Sequence, residues 1–479
     1  MNLVKRSITS ASWNYSVNFI QFGITFVRQV ILARLLDIEV FGIYAFISSI
    51  VFLTIMFPNF GMGSALLNRV PETEDLDQSA SVHFTLKTIF TSIWVIILIS
   101  WGKIFFEDQY LLPLVVIVLA RGANELIQTP RILLFRSVNT RRIAVIRLIT
   151  TIGSFGITII LAMQGAGIWT LLSIDILVTL IMFIGLYIWN PVWKPRFSWT
   201  KDIVRYMLDF GWKNFFAGLL SRGLDRVDDI WTGFFLGELP LGLYSKAFSF
   251  ATMPKNLLGK PLTDIIRGSY AELKGDRKRL SKSFFIFNSV LIRSGFFVGG
   301  VLYLVAPEFI SVVLGEKWMP MLTAFQLMLV FTLIDPVKLS IGNIFISVGK
   351  PEIIGKARLI QLIVMIIGLF ALGTSYGIAG VAIAVDIMVI VGLAQQLWLV
   401  KKFVDYSLKD LFLTPLISLG GGIGLYLLIS NWIIPGSDIA NGFLKIGIFS
   451  LGYLVLFLSL EYQLIRNVYL PLVRSGFKK

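Results

Sequence analysis

Long apolar runs constrain this chain more than any other feature. From about residue 10 to about residue 460 they follow one another, each roughly 20 residues or longer, parted by short segments rich in charge, glycine and proline. A helix needs about 20 residues to cross the ~30 Å hydrocarbon layer. Strands of a membrane barrel are about 10 residues long and alternate apolar with polar, which these runs do not. Hydrocarbon offers backbone N–H and C=O groups no partner, so helices remain. The composition agrees, with 56% hydrophobic and 15% charged residues against roughly 25% charged in soluble domains. The expected fold class is an all-α polytopic membrane protein.

The runs predict crossings at 10–35, 40–67, 80–101, 110–130, 143–163, 166–190, 204–235, 240–266, 283–306, 319–347, 357–375, 378–400, 411–430 and 441–462, about fourteen in all. If Met1–Arg6 is cytoplasmic, the segments on that side carry most of the basic residues, among them Lys5, Arg6, Arg69, the group Arg131, Arg136, Arg141, Arg142 and Arg147, Lys194, and Arg474, Lys478 and Lys479. The other side carries only Arg34, Lys103 and Lys317. Short loops rich in Lys and Arg stay in the cytoplasm. The expected topology is therefore an even number of crossings in the cytoplasmic (inner) cell membrane, with both termini inside. The net charge of +15 then borders anionic lipid, so membrane lipids are the expected partners and nucleic acid is not needed. The basic start MNLVKR leads into a long, rather polar crossing without a small-residue cleavage site, as in a signal anchor. With no cysteine and the single histidine His83, the sequence offers no disulfide, thiolate nucleophile or Cys/His metal site. Neither a metal nor a cofactor is expected.

A repeat organises the crossings. Ala33–Phe46 (ARLLDIEVFGIYAF) aligns without gaps, at an offset of 200, with Gly233–Lys246, so that Leu36, Gly42 and Tyr44 fall on Leu236, Gly242 and Tyr244. At an offset of 211, Ile146–Val178 meets Ala357–Val389 and puts Arg147 on Arg358 and Asp175 on Asp386. Each copy spans about six crossings, an even number, so the copies share one orientation and a pseudo-two-fold axis along the membrane normal. The expected organisation is an N-terminal six-helix lobe, 1–200, a second six-helix lobe, 201–405, and a C-terminal helix pair with a cytoplasmic tail, 406–479.

The segments ILARLLDIEVFGIYAF, FGMGSALLNR, KPLTDIIRGSYAELKGD and VVLGEKWMPML resemble the polysaccharide transport family. Its members are flippases for lipid-linked oligosaccharides of the O-antigen and exopolysaccharide type, within the multidrug, oligosaccharidyl-lipid and polysaccharide exporter superfamily. The resemblance runs the length of the chain. It departs at Gly268-Ser269, where members commonly carry Phe-Pro at the inner end of the eighth crossing. The resemblance implies two lobes forming a V around a central cavity that opens alternately to the cytoplasm and the outside, lined by the first, second, seventh and eighth crossings. It also implies a polyprenyl-pyrophosphate glycolipid as substrate and polysaccharide polymerase machinery as a partner in making lipopolysaccharide or exopolysaccharide.

Charge within the crossings points to the same helices. Arg28, Lys87, Arg121, Lys213, Arg222, Arg226, Lys246, Lys255, Lys260, Arg293, Lys338 and Lys445 lie at membrane depth. Each costs ~2.5 to 3.5 kcal/mol or more there unless it faces protein or water, and a water-filled path accommodates them together. In SRGLDRVDDIW, Ser221–Trp231, the residues Arg222, Asp225, Arg226 and Asp229 fall at i, i+3, i+4 and i+7 and share one helical face, while Asp228 points elsewhere. The offset of 200 sets Arg28 and Gln29 at the places of Asp228 and Asp229. A cavity wall accounts for the cluster; a solvated or salt-bridged end of the seventh helix is the alternative. Lys255 sits mid-helix beside Pro254, and with Pro261 that residue removes backbone donors and permits a bend. Asp335 and Lys338 form an i, i+3 pair and Arg121 and Glu125 an i, i+4 pair, each readable as a substrate site or a structural bridge. Arg293 has no local partner and needs one from another helix or from a ligand. The candidate substrate-binding residues are thus Arg28, Arg121, Arg222, Asp225, Arg226, Asp229, Lys255, Arg293 and Lys338. Candidate ion-coupling residues are Asp175, Asp335 and Asp386. Trp13, Tyr15, Trp212 and Tyr244 are placed either to stack on sugars or to form an interfacial belt.

A pyrophosphate does not cross hydrocarbon unaided. Guanidinium and ammonium groups in a wet cavity replace its hydration, with Arg suited to bidentate contacts, while the lipid tail stays in the bilayer. No GxxxxGK[ST] loop occurs, so the drive is expected from an ion gradient, the membrane potential or removal of product. The run GGGIG, Gly420–Gly424, lies in an apolar helix and suits close helix packing. No enzyme is expected, because a membrane glycosyltransferase or polymerase would carry a sizeable aqueous loop with carboxylates or a metal motif. The competing readings are a multidrug exporter of the same superfamily, for which an acidic cavity is expected, and a flippase for the peptidoglycan lipid precursor.

Overall fold

The computed structural model describes residues 3–68, 76–137, 140–430 and 437–466, and every regular element among them is helical. Arg69, Arg474, Lys478 and Lys479 lie outside the described residues, as do the side chains of Lys5, Arg6, Trp13, Tyr15, Lys213 and Lys260. The chain separates into two compact units, Met1–Ser245 and Lys246–Lys479.

The first unit holds α1 (Leu3–Leu35), α2 (Ile38–Thr54), α3 (Met56–Asn59), α4 (Met62–Asn68), α5 (Leu76–Phe105), α6 (Asp108–Leu126), α7 (Gln128–Arg136), α8 (Thr140–Met163), α9 (Ile168–Phe183), α10 (Lys201–Leu236) and the start of α11 (Glu238–Ala251). The second holds the end of α11, then α12 (Lys260–Leu273), α13 (Arg277–Glu308), α14 (Leu322–Ser347), α15 (Glu352–Gly368), α16 (Thr374–Val400), α17 (Leu408–Ser430) and α18 (Asp438–Leu464).

Ten helical segments among the described residues are long and apolar enough to cross a membrane, and the molecule is a multi-pass membrane protein. The expected crossings at 10–35 and 204–235 lie on α1 and α10, helices of 33 and 36 residues that are not among those ten. The crossing expected at 240–266 is broken, as its prolines implied: α11 ends at Ala251, a π-helical turn spans Lys255–Gly259, and α12 follows. The crossings expected at 357–375 and 378–400 share one 49-residue apolar stretch, Glu352–Val400. That stretch turns at Gly377, whose φ of 56° suits a residue without a Cβ. Many large apolar side chains face outward, Ile96, Ile160 and Ile367 among them, as lipid-facing helices require.

Small residues set the packing in the first unit. A Cβ on Gly42 of α2 would lie 1.8 Å from the carbonyl oxygen of Glu238, and one on Gly242 of α11 would lie 2.3 Å from that of Ile38. The two helix starts therefore meet backbone to backbone, each glycine receiving the other's chain. Farther along, Gly218 and Gly233 of α10 admit Met56 and the Phe46 ring. In hydrocarbon, where the hydrophobic effect does not join helices, such close approach is a main source of attraction. At the start of α10, Ile203 and Met207 pack with Met62 and Leu66 of α4 and Val82 and Leu86 of α5.

In the second unit α13 is central and packs on α14, α17 and α18. Its first turn is capped by Asp276, which accepts from the Arg279 amide at 3.0 Å. Phe449 of α18 is fully buried against Gly300 of α13 and Gly422 of α17, where any Cβ would strike its ring. That is the packing expected of the glycine run on α17.

Candidate substrate-binding site

The stretch SRGLDRVDDIW lies within α10 and is helical throughout. Arg226 Nη1 donates to Asp229 Oδ2 at 2.8 Å, and Ser49 of α2 donates to the same oxygen at 3.0 Å. Asp228 does point elsewhere: it accepts from the Tyr244 hydroxyl of α11 at 2.6 Å. Both aspartates are buried. Arg222 is held differently. Its Nη1 donates to the Phe52 carbonyl at 3.0 Å, and its guanidinium stands 4.5 Å from the centre of the Phe52 ring, with that of Arg226 at 4.9 Å. Asp225 and Glu125 act on Arg222 through their fields. A carbonyl and an aromatic face orient a guanidinium without neutralising it.

Two further polar knots lie in the same unit. Lys87 of α5 has no solvent exposure and pairs with Glu125 of α6, which also accepts from Gln128 at 2.6 Å. Arg121, one turn before Glu125, does not pair with it as the i, i+4 spacing suggested. Instead Arg121 reaches Asp175 of α9 at 2.7 Å, and Tyr44 donates to the other carboxylate oxygen at 2.7 Å. Burial decides this exchange, since a fully buried ammonium requires a carboxylate, whereas the Arg121 side chain is 47% exposed. Arg28 of α1 donates to Ser154 of α8 at 3.0 Å, and Gln21, two turns earlier, to Thr151 at 2.8 Å.

In the second unit Lys255 opens the π-helical turn, pairs with Asp335 of α14 and lies 4.6 Å from the centre of the Phe331 ring. Lys338 stands 3.8 Å from the other Asp335 oxygen and donates to Gln361 of α15 at 2.8 Å. The three residues expected separately from the eighth and tenth crossings thus form one cluster. Arg293 finds its partner in another helix: both its Nε and Nη2 meet the Glu461 carboxylate of α18, and Nη2 also donates to the Asp410 carbonyl at 3.1 Å. Tyr453 closes the arrangement by donating to the Arg293 carbonyl at 2.9 Å. Asp386 of α16 is 7% exposed, and its Oδ1 has no hydrogen-bond partner among the described residues, unlike Asp175 at the matching repeat position.

Ser49, Thr151 and Ser154 were not recognisable as polar partners, because isolated hydroxyls are common in apolar helices. Glu461 did carry a signal, as a lone acid in the apolar last crossing. Tyr244 is fully buried, so its ring is not open to a sugar, whereas Trp212 is 54% exposed beside Phe215 and Phe216. Among the described residues no three His, Asp or Glu side chains are placed to hold a metal ion.

Residues 31–323 match the profile of a family described as polysaccharide biosynthesis protein. The chain belongs to this family. Its motifs had implied as much. A membrane protein in the cps region of Klebsiella pneumoniae is 23% identical over 397 residues, 80% of this chain and 80% of that protein. The lipopolysaccharide biosynthesis protein WzxC of Escherichia coli (strain K12) is 22% identical over 396 residues, 80% of this chain and 78% of its own length. Among solved structures, the lipid II flippase MurJ in an inward closed conformation superposes with a TM-score of 0.78 at 17% identity, covering 94% of this chain and 99% of MurJ. This chain and MurJ share a fold.

Proposed function

We propose that this protein is a flippase that moves polyprenyl-pyrophosphate-linked oligosaccharide units from the cytoplasmic to the outer leaflet by alternating access, for cell-surface polysaccharide synthesis. The observation that carries the reading is Arg222. It lies on α10, the seventh of the expected crossings, in a polysaccharide biosynthesis protein, and among the described residues no carboxylate bonds to it, only a carbonyl. Such a guanidinium keeps its fork available for a phosphate oxygen pair. Arg226, already bridged to Asp229, supplies positive field beside it, and Arg28 and Arg121 add charge from α1 and α6. Lys255 and Lys338, sharing the single acid Asp335, offer a second cationic group. Asp175, Asp335 and Asp386 are the proposed carriers of a coupling ion.

The same reading takes the chain as about fourteen crossings in two six-helix lobes, 1–200 and 201–405, with 406–479 as a C-terminal pair and tail, both ends in the cytoplasm and the polysaccharide polymerase machinery downstream. A sugar headgroup would travel through the wet interior while its lipid tail remains in the bilayer.

Reconstitution in proteoliposomes with a labelled polyprenyl-pyrophosphate oligosaccharide tests the proposal. Wild-type protein is expected to move the lipid across the bilayer, and Arg222→Ala/Arg226→Ala to slow that movement by about tenfold or more, the loss expected for charge-assisted contacts. No movement of any such lipid, together with export of an organic cation, would replace the flippase by a drug exporter. Movement of a peptidoglycan lipid precursor alone would reassign the substrate.

A further inference from the structure

Aromatic rings gather in the first unit around the break in the second expected crossing, between α3 and α4. Phe215 of α10 is buried, with its ring centre 5.5 Å from that of Phe57 on α3, 5.2 Å from Phe60 and 5.5 Å from Phe216. Trp212 stands 6.1 Å from Phe60 and lies nearly parallel to Phe215, at an interplanar angle of 7°. Phe216 meets Trp212 at 90°, with 4.7 Å between the centres. Trp212 and Phe216 are each about half exposed, so they leave open a corner of two perpendicular aromatic faces.

The backbone is strained to hold this group. Phe60 ends α3 at a φ of 42°, a left-handed conformation in which helices normally end on glycine. Bulky residues adopt it rarely, and such strain gathers at functional sites. Gly211 of α10 lets the break close against it, since a Cβ there would lie 2.2 Å from the Phe60 carbonyl oxygen. A glycine at position 60 would satisfy the backbone; what phenylalanine adds is the ring.

Lipid alone does not account for the group. Interfacial belts are built from Trp and Tyr, whose polar tips reach the headgroups, and here every ring but Trp212 belongs to phenylalanine. On the Trp212 and Phe216 face of α10, Arg205 and Asp209 bring exposed polar groups to within one turn of the rings. Aromatic faces beside polar side chains suit a ligand with an apolar face and a hydroxylated edge, which is a sugar ring. Trp212 and Arg222 are ten residues apart on α10, as are Phe216 and Arg226, about 15 Å along the helix. That is farther than the sugar joined directly to a pyrophosphate reaches.

We propose that Trp212 and Phe216 form a stacking platform for the distal sugars of the oligosaccharide, with Phe57, Phe60 and Phe215 as its support. The proposal rests on the flippase reading for the lipid and its pyrophosphate, and adds the part of the glycan that α10 reads. Each pyranose presents a face of C–H bonds, so the platform selects glycan length rather than sugar identity.

The test compares three lipids on the full chain in detergent by calorimetric titration: bare polyprenyl pyrophosphate, the same lipid bearing one glucose, and the same lipid bearing three. Wild type is expected to bind the trisaccharide lipid about tenfold more tightly than the other two, as for two ring contacts. Trp212→Ala/Phe216→Ala should abolish that preference and leave the affinity for bare lipid unchanged, which also shows that the variant is folded. Trp212→Phe keeps a ring and should keep most of the preference. Equal loss for all three lipids would assign the rings to the polyprenyl tail, and no loss for any would make them an interfacial belt. A preference complete with one glucose would put the first sugar there. Each of these results overturns the platform.

Movement of the trisaccharide lipid in proteoliposomes separates the two readings. A ring-dependent preference without movement keeps the platform and sinks the flippase, and movement without the preference does the reverse. Wild type that binds none of the lipids sinks both.

Discussion

Arg293 and Glu461 are each nearly fully buried, so removing either leaves the other as an unpaired charge within the membrane-spanning part of the second unit. Breaking such a pair costs about 3 to 5 kcal/mol, whereas replacing both members with apolar residues of similar size is often neutral. Arg293→Met is accordingly expected to lower the unfolding temperature strongly, and Arg293→Met/Glu461→Met to recover most of the loss, with glycolipid affinity unchanged in the double variant. Thermal unfolding in detergent alongside a binding titration checks both halves. A double variant that is stable but no longer binds would return Arg293 to the substrate site. At this scale the sequence made the need for a partner legible and left the partner hidden. Arg293 and Glu461 stand 168 positions apart, and helical spacing identifies only neighbours within a turn or two. The same limit explains Arg121 and Glu125, whose spacing is right for each other but whose partners come from α9 and α5.

α2, which packs on the cationic helix α10, is itself positioned by glycine. A methyl group at Gly42 or Gly242 would fall inside a carbonyl oxygen of the opposing helix. Backbone, unlike a flexible side chain, cannot swing aside, so Gly42→Ala and Gly242→Ala are each expected to destabilise the protein by about 1 to 3 kcal/mol or more, the range for overpacking. Gly268→Ala on α12 is the control, since a Cβ there meets nothing within 4 Å. Monodisperse yield on size-exclusion chromatography and unfolding temperature measure the contrast. A tolerated Gly42→Ala would mean that α2 and α11 stand farther apart than described. The alignment of Leu36, Gly42 and Tyr44 with Leu236, Gly242 and Tyr244 made the repeat visible. That each glycine faces the first residue of the other helix was not visible, because periodicity locates a residue along a helix and around it without saying what lies opposite. The helix break near Pro254 was legible, since proline removes a backbone donor wherever it stands.

For the whole molecule, the length and apolarity of the runs were enough to establish a helical multi-pass protein. They left the number of crossings to chemistry that hydropathy does not weigh: α1 and α10 are as long as the apolar helices but carry the charges of the site. Topology has a direct test in a chain that contains no cysteine. Lys103→Cys and Lys317→Cys, at exposed positions, are expected to react with a membrane-impermeant maleimide added to intact cells, and Lys194→Cys to react only after permeabilisation. Labelling of Lys194→Cys in intact cells would invert the orientation and with it the side from which substrate enters. The seating of Gly42 against Glu238 and of Gly242 against Ile38 has a consequence of another kind. Neither position can acquire a side chain while the opposite backbone stays where it is, so two sites far apart in the gene are bound to one another in evolution. A relative that has lost one of these glycines is expected to have changed the path of the facing helix as well.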